Sequence, residues 1–298
     1  MAINTAATAA IDVDDVEYLR HGGKPLLARL FKPRGAGPFP LIVELHGGAW
    51  CKGDRLQDTS LNETLVKNGV VVAALDFRMP PADAGYPASM ADINYAIRYF
   101  RTRATELGSR PDMVGALGIP SGAHQAMLNA MRPKDPRYAA LPLPAGAAAP
   151  AGAATIDASV RAVVLCWPVL DPLARYRYAK KLKAGGKPYP DVVDSVLPLH
   201  DLYWQTEAAM PEGNPVLALE RGERMEMPPV LYLQGSKDVA HPRPDLDRFV
   251  AGYRKAGGQV KLEIYEGEGQ AFITRDAGSP AAAQATEKII EFIHKQIR

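Results

Sequence analysis

The side chains able to do covalent or proton-transfer chemistry fall in a few short stretches. Ser121 stands in "GALGIPSGAHQAM" (Gly115–Met127), with His124 three residues on. Asp238 and His241 stand in "LYLQGSKDVAHP", and Cys51 closes "HGGAWC". A serine, a histidine and an acid form the set that activates a hydroxyl nucleophile. The histidine takes the proton, and the acid holds its tautomer and stabilises the imidazolium. The two cysteines, Cys51 and Cys166, make no disulfide framework, and no Cys/His spacing suits zinc, so neither metal nor cofactor is implied.

These residues need elements to carry them. Near-continuous apolar runs read as strands: Leu26–Pro33, Pro40–Gly47, Val70–Phe77, Met113–Ile119, Val160–Trp167, Pro229–Ser236 and Val260–Gly267. Three- and four-residue apolar spacing in "SMADINYAIRYFRTRATEL", "RPDLDRFVAGYRKAG" and "PAAAQATEKIIEFIHKQI" predicts helices. Strand–helix alternation of this kind predicts an α/β fold, a mostly parallel central sheet with helices on both faces, as a single domain over 1–298. Two stretches break the rhythm. Pro133–Ser159 is rich in Ala, Pro and Gly and reads as a loose surface loop. Residues 171–215 read as an insertion that caps the C-terminal edge of the sheet.

Composition narrows the functions. The chain of 298 residues is 47% hydrophobic and 23% charged, as a globular protein should be. A net charge of +2 gives no basic surplus for nucleic acid or an anionic membrane. The opening "MAINTAATAAIDVDD" has neither the basic start nor the apolar run of a signal peptide, and no stretch is long and apolar enough to span a bilayer. The expectation is a cytoplasmic protein that acts on a small molecule. An exposed final strand edge or C-terminal helix is where a homodimer would form.

At this point the chain resembles the α/β-hydrolase superfamily, and within it the hormone-sensitive-lipase-like carboxylesterases. "HGGAWCKGDR" (His46–Arg55) resembles their oxyanion loop. "LDFRMPP…YPASMADINYAIRYF" (Leu75–Phe100) resembles the block that follows, and "GIPSGAHQA" (Gly118–Ala126) aligns on the G-x-S-x-G-G nucleophile elbow. "LYLQGSKDVAHP" and "YEGEGQAFI" resemble the acid and histidine loops. The resemblance implies that the backbone N–H groups of Gly47, Gly48 and Ser121 hold a developing oxyanion. One such donor is typically worth about 3 kcal/mol in the transition state. Asp76 and Arg78 match a structural block, an ion pair or loop brace; Asp54 and Arg55 are expected to brace the oxyanion loop.

The triad the resemblance implies is incomplete. Asp238 stands at the acid position. Gly118 and Gly122 set a register that puts Pro120 where the nucleophile belongs, and Gln270 takes the place of the histidine. Proline fixes its φ near −65°, whereas the elbow nucleophile takes positive φ. A glutamine amide is no general base near neutral pH. Ser121 as a displaced nucleophile would need His124 or His241 as its base. His46, Trp50, Cys51, His124, Trp167, Tyr203 and Trp204 are expected around a pocket at the C-terminal sheet edge, where open α/β folds bind ligands. Three readings follow. The first is a non-hydrolytic enzyme of lyase, dehydratase, decarboxylase or isomerase type, with Asp238 or His241 as proton carrier. The others are a carboxylesterase using Ser121 and a catalytically silent small-molecule binding protein.

Overall fold

A computed structural model describes residues 11–144 and 156–298. Among them, the predicted apolar runs are strands, with trimmed ends except at β2, which starts two residues earlier than expected, in the chain order β1 (Ile11–His21), β2 (Lys24–Pro33), β3 (Leu41–Leu45), α1 (Thr59–Lys67), β4 (Val71–Leu75), α2 (Ala88–Thr102), β5 (Val114–Gly118), α3 (Ser121–Met131), β6 (Val163–Cys166), α4 (Pro172–Ala184), α5 (Val192–Trp204), α6 (Pro215–Glu220), β7 (Val230–Gly235), α7 (Arg243–Lys255), β8 (Val260–Tyr265), α8 (Phe272–Arg275) and α9 (Pro280–Gln296). The eight strands form one sheet in the order β1-β2-β4-β3-β5-β6-β7-β8. The first two run antiparallel to their neighbours, and β3 to β8 pair in parallel.

Burial explains the strands. Every residue of β3, β4, β5, β6 and β7 is buried, because helices cover both faces. On one face α2, α3 and α7 pack over Leu41, Val43, Leu45 and Ala116; on the other, α1 and α9 pack over Ile42, Val72, Leu117 and Leu231. Local chemistry starts several helices. Ser279 accepts from Ala282 N at 3.1 Å ahead of Pro280, and Asn214 accepts from Leu217 N at 3.0 Å ahead of Pro215.

The expected excursions resolve differently. Residues 171–215 fold as α4, α5 and a short 3₁₀ turn, with a small apolar core of Leu173, Tyr176, Val193 and Leu197 that joins Trp50. The expected loop at 133–159 shows turns as far as residue 144; residues 145–155 lie outside the described residues.

Chain order reverses direction in the sheet between β3 and β5, so the loops after these two strands open a crevice at their C-terminal ends. That crevice is tight. Ile119 N donates to Leu45 O at 3.0 Å. A Cβ at Gly122 would lie 2.0 Å from Leu45 O, and one at Gly118 would lie 2.4 Å from the backbone of Ala123. Gly122→Ala is therefore expected to cost about 3 kcal/mol or more in urea unfolding, with Gly278→Ala, which meets nothing within 4 Å, changing stability by less than about 0.5 kcal/mol.

Candidate active site

The turn from β5 into α3 carries Pro120 with φ −19°, not the left-handed backbone of an elbow nucleophile. Its ring faces the oxyanion loop: a Cβ built on Gly47 would lie 3.1 Å from Pro120 Cδ. Ser121 opens α3, and its Oγ is buried with no hydrogen-bond partner among the described residues. Its N–H lies in the first turn, where a helix leaves its amide donors unused. Gly48 takes φ 101°, and Cys51 N and Lys52 N both donate to its carbonyl at 3.1 Å. A Cβ there would strike Lys52 O at 2.0 Å, so this loop requires glycine.

Three of the buried histidines serve the framework. His46 stacks flat on Phe77, with centroids 4.5 Å apart, and its Nδ1 bonds Gly47 O at 2.7 Å. His124 accepts from Trp50 Nε1 at 3.1 Å through Nδ1, which makes its Nε2 the donor to Gly213 O at 2.7 Å. Burial pushes its pKa down to about 4. It is a neutral ring with both nitrogens occupied, so it cannot serve Ser121. His200 bonds Val196 O at 3.0 Å, and burial pushes it down to about 3.

His241 differs. Its Nδ1 lies 2.8 Å from Asp238 Oδ2, while Asp238 Oδ1 accepts from Ala240 N at 2.8 Å and from His241 N at 3.1 Å. Burial works to raise the Asp238 carboxyl, but its attraction to His241 and the N–H donors around it hold it below the ordinary range. Burial lowers His241 against the pull of Asp238. The pair is thus a carboxylate holding the Nδ1–H of a neutral imidazole. Its Nε2 is buried and has no partner among the described residues, and in particular it does not bond Ser121 Oγ.

Groups not singled out from the sequence surround this pair. Arg175 of α4 donates through Nε to Ala240 O at 3.0 Å, tying the inserted helix to the acid loop. Arg175, Asp245 and His241 line a cavity of about 10 Å³, closed on another side by Pro168–Leu170. That is room for about one water molecule. Val169 N bonds Pro120 O at 3.3 Å, so the same short segment touches both the elbow and the histidine. A buried Arg in the charged stretch "ARYRYAKKLK" had no sequence signal to distinguish it from its solvated neighbours.

The other expected site residues are placed as follows. Trp50, His124, Tyr203 and Trp204 pack on one another instead of around open space. Trp50 stacks on Tyr203 at 5.2 Å and meets His124 and Trp204 edge-on at 5.5 and 5.9 Å. Trp167 packs toward Phe272 on the α1 and α9 face. The Cys51 thiol approaches Leu199 O at 3.5 Å, and burial pushes it up to about 11, so it stays protonated. Gln270 lies half-buried in the loop after β8, which meets the acid loop where Lys237 N bonds Glu268 O at 2.8 Å. Asp76 and Arg78 do not pair with each other. Asp76 accepts from Arg55 N and Nη1 at 2.9 Å, while Arg78 grips the buried Asp92 of α2 at 2.8 Å. Arg55 thus braces the oxyanion loop as expected, and Asp54 caps only its own turn by accepting from Leu56 N. Among the described residues no group of three or more His, Cys, Asp or Glu could hold a metal ion, and no helix is long and apolar enough to cross a membrane.

The BD-FAE family profile matches residues 30–242, from β2 through the Asp238–His241 loop. The chain belongs to that family. That family is of the carboxylesterase type within the α/β-hydrolase superfamily. It is similar to Esterase LipC of Mycobacterium tuberculosis (25% identity over 87% of this chain and 59% of LipC) and to Esterase LipQ of the same organism (24%, over 83% and 54%). The chain therefore spans little more than half the length of these relatives. Among solved structures, its fold is similar to an esterase of Pyrobaculum calidifontis (TM-score 0.74, 19% identity, 96% of this chain and 86% of that one). It is also similar to esterase LipW of Mycobacterium marinum (TM-score 0.76, 20% identity, 97% and 82%).

The placement of His124 has a measurable consequence for this BD-FAE member. Its folded pKa of about 4 lies below the ordinary 6.5, so between those values the unfolded chain binds more protons. The stability held by its neutrality is complete above pH 6.5 and is lost as pH falls toward 4. That amounts to roughly 3 kcal/mol. Urea unfolding from pH 7 to 4 should show the gap between wild type and His124→Phe narrowing by about this amount as the pH falls.

Proposed function

We propose that this BD-FAE member is a proton-transfer enzyme on a carboxylesterase scaffold. It acts on a small carbonyl compound by lyase, dehydratase, decarboxylase or isomerase chemistry instead of hydrolysis. The observation that supports this most directly is the Asp238–His241 pair, whose Nε2 has no partner among the described residues, together with a buried Ser121 Oγ that bonds no base among them. In this reading His241 Nε2 takes a proton from the carbon next to the substrate carbonyl. Asp238 stabilises the imidazolium that forms, and the N–H groups of Gly47, Gly48 and Ser121 hold the enolate oxygen. Pro120 leaves no nucleophile to be acylated. Arg175 acts through the acid loop as a positioning residue, since its guanidinium holds the Ala240 carbonyl. Substrate reaches the site when the α4–α5 insertion lifts from Trp50.

The test is exchange of α-protons in small ketones and β-hydroxy ketones in D₂O, followed by proton NMR. His241→Gln should slow exchange roughly 100-fold or more, while Ser121→Ala keeps it. Absence of exchange with every such substrate would sink the proposal.

A second reading is a carboxylesterase with Ser121 as a displaced nucleophile. The buried, unpartnered Ser121 Oγ favours it, and so do relatives named as esterases. Turnover of p-nitrophenyl acetate or fluorophosphonate labelling, either one abolished by Ser121→Ala, would establish this reading over the first.

A further inference from the structure

His241 is 4% exposed, so a proton that reaches its ring needs a route to solvent. Its Nδ1 is spent on Asp238, which leaves Nε2 as the nitrogen that gains and sheds a proton. The cavity of about 10 Å³ lined by His241 also meets Asp245, the third residue of α7, which is half-buried and so stands between the ring and the surface. The Asp245 carboxyl makes no hydrogen bond and no ion pair among the described residues. Arg175, on the same wall, makes one side-chain hydrogen bond, from Nε to Ala240 O, and its Nη groups have no partner among the described residues. The other polar groups of the wall are already used. Asp171 Oδ1 accepts from Ala174 N and Asn214 Nδ2, and its Oδ2 from Arg248. The Tyr232 hydroxyl donates to Gln234 Oε1 at 3.2 Å.

We propose that Asp245 is the port by which His241 exchanges its proton with solvent, through one water held in this cavity. The inference rests on the reading of His241 as a base. A cavity of this size holds about one water, which needs two to four polar partners. Arg175 donates to the water oxygen through Nη, and Asp245 and His241 Nε2 accept its hydrogens. After His241 has taken a proton from substrate, imidazolium Nε2–H passes that proton to the water. The water gives one of its own to an Asp245 oxygen. The ring ends neutral, the carboxyl ends protonated, and the half-buried carboxyl releases the proton to bulk solvent. The direction is favourable. Burial lowers His241, while burial and the nearby charge of Asp171 bring Asp245 to about 7 against the pull of Arg248 and Arg175. An ionised Asp245 therefore takes the proton from the imidazolium downhill. Asp245 touches no substrate and acts only through His241.

Coupling is read first without turnover, by ¹⁵N NMR of histidine-labelled protein from pH 5 to 9, with His241→Gln assigning the signal. The wild-type His241 Nε2 resonance should move in a step centred at about pH 7, where Asp245 ionises, apart from the ring's own protonation at lower pH. Asp245→Asn should lose that step, and Asp245→Glu, which keeps the carboxyl, should retain it. The second readout is α-proton exchange in D₂O. Asp245→Asn should slow it roughly tenfold without changing KM, and Asp245→Glu should restore most of the rate. No step in wild type, a step that survives in Asp245→Asn, or equal exchange by wild type and Asp245→Asn would overturn the port and leave His241 as the base. A coupled step with no exchange of any substrate would support the port and sink the proposed reaction instead.

Discussion

The close approach of the β5–α3 turn to the end of β3 is the constraint on which the site depends. Leu45 O and the backbone of Ala123 occupy the space where side chains at Gly122 and Gly118 would stand. Without those two glycines, α3 could not begin against the oxyanion loop, and the loops after β3 and β5 would part. The constraint is geometric and indifferent to chemistry. It holds the turn in register whether a serine or a proline stands at position 120.

Within that frame the chain sorts its imidazoles by burial and hydrogen bonding. His46 shapes the oxyanion loop, and His124 and His200 brace the inserted helices. Of these and His241, the four buried imidazoles among the described residues, only His241 is held by a carboxylate on one nitrogen while the other stays unpartnered. Burial keeps all four from protonating readily, and for His241 that neutrality is what the proposed role as a base requires.

Much of this was legible in the sequence, for identifiable reasons. Strands buried on both faces must be apolar throughout, so β3 to β7 could be read off, and β2 and β8, though partly exposed, keep enough apolar residues to be read as well. β1 could not: "IDVDDVEYLRH" is a half-exposed edge strand whose acids form ion pairs with Arg29, Arg34 and Arg55. The three-residue spacing of Asp238 and His241 suggested a shared loop but not the bond between them. The cap residues could be named, yet spacing along the chain says nothing of whether aromatic rings surround a space or fill it. Glu44 carried a signal that went unused, since one acid inside an otherwise apolar buried strand has nowhere to go but inward.

Trp50 occupies a loop position with φ 64°, two residues past Gly48, and its ring lies against Tyr203 of α5. Tyr203 is in turn fastened to Ser89 of α2 at 2.7 Å. The inserted helices therefore rest on the very loop whose amides would face a substrate oxygen. Cap and loop thus share one packing contact, so whatever moves the inserted helices acts on that loop as well.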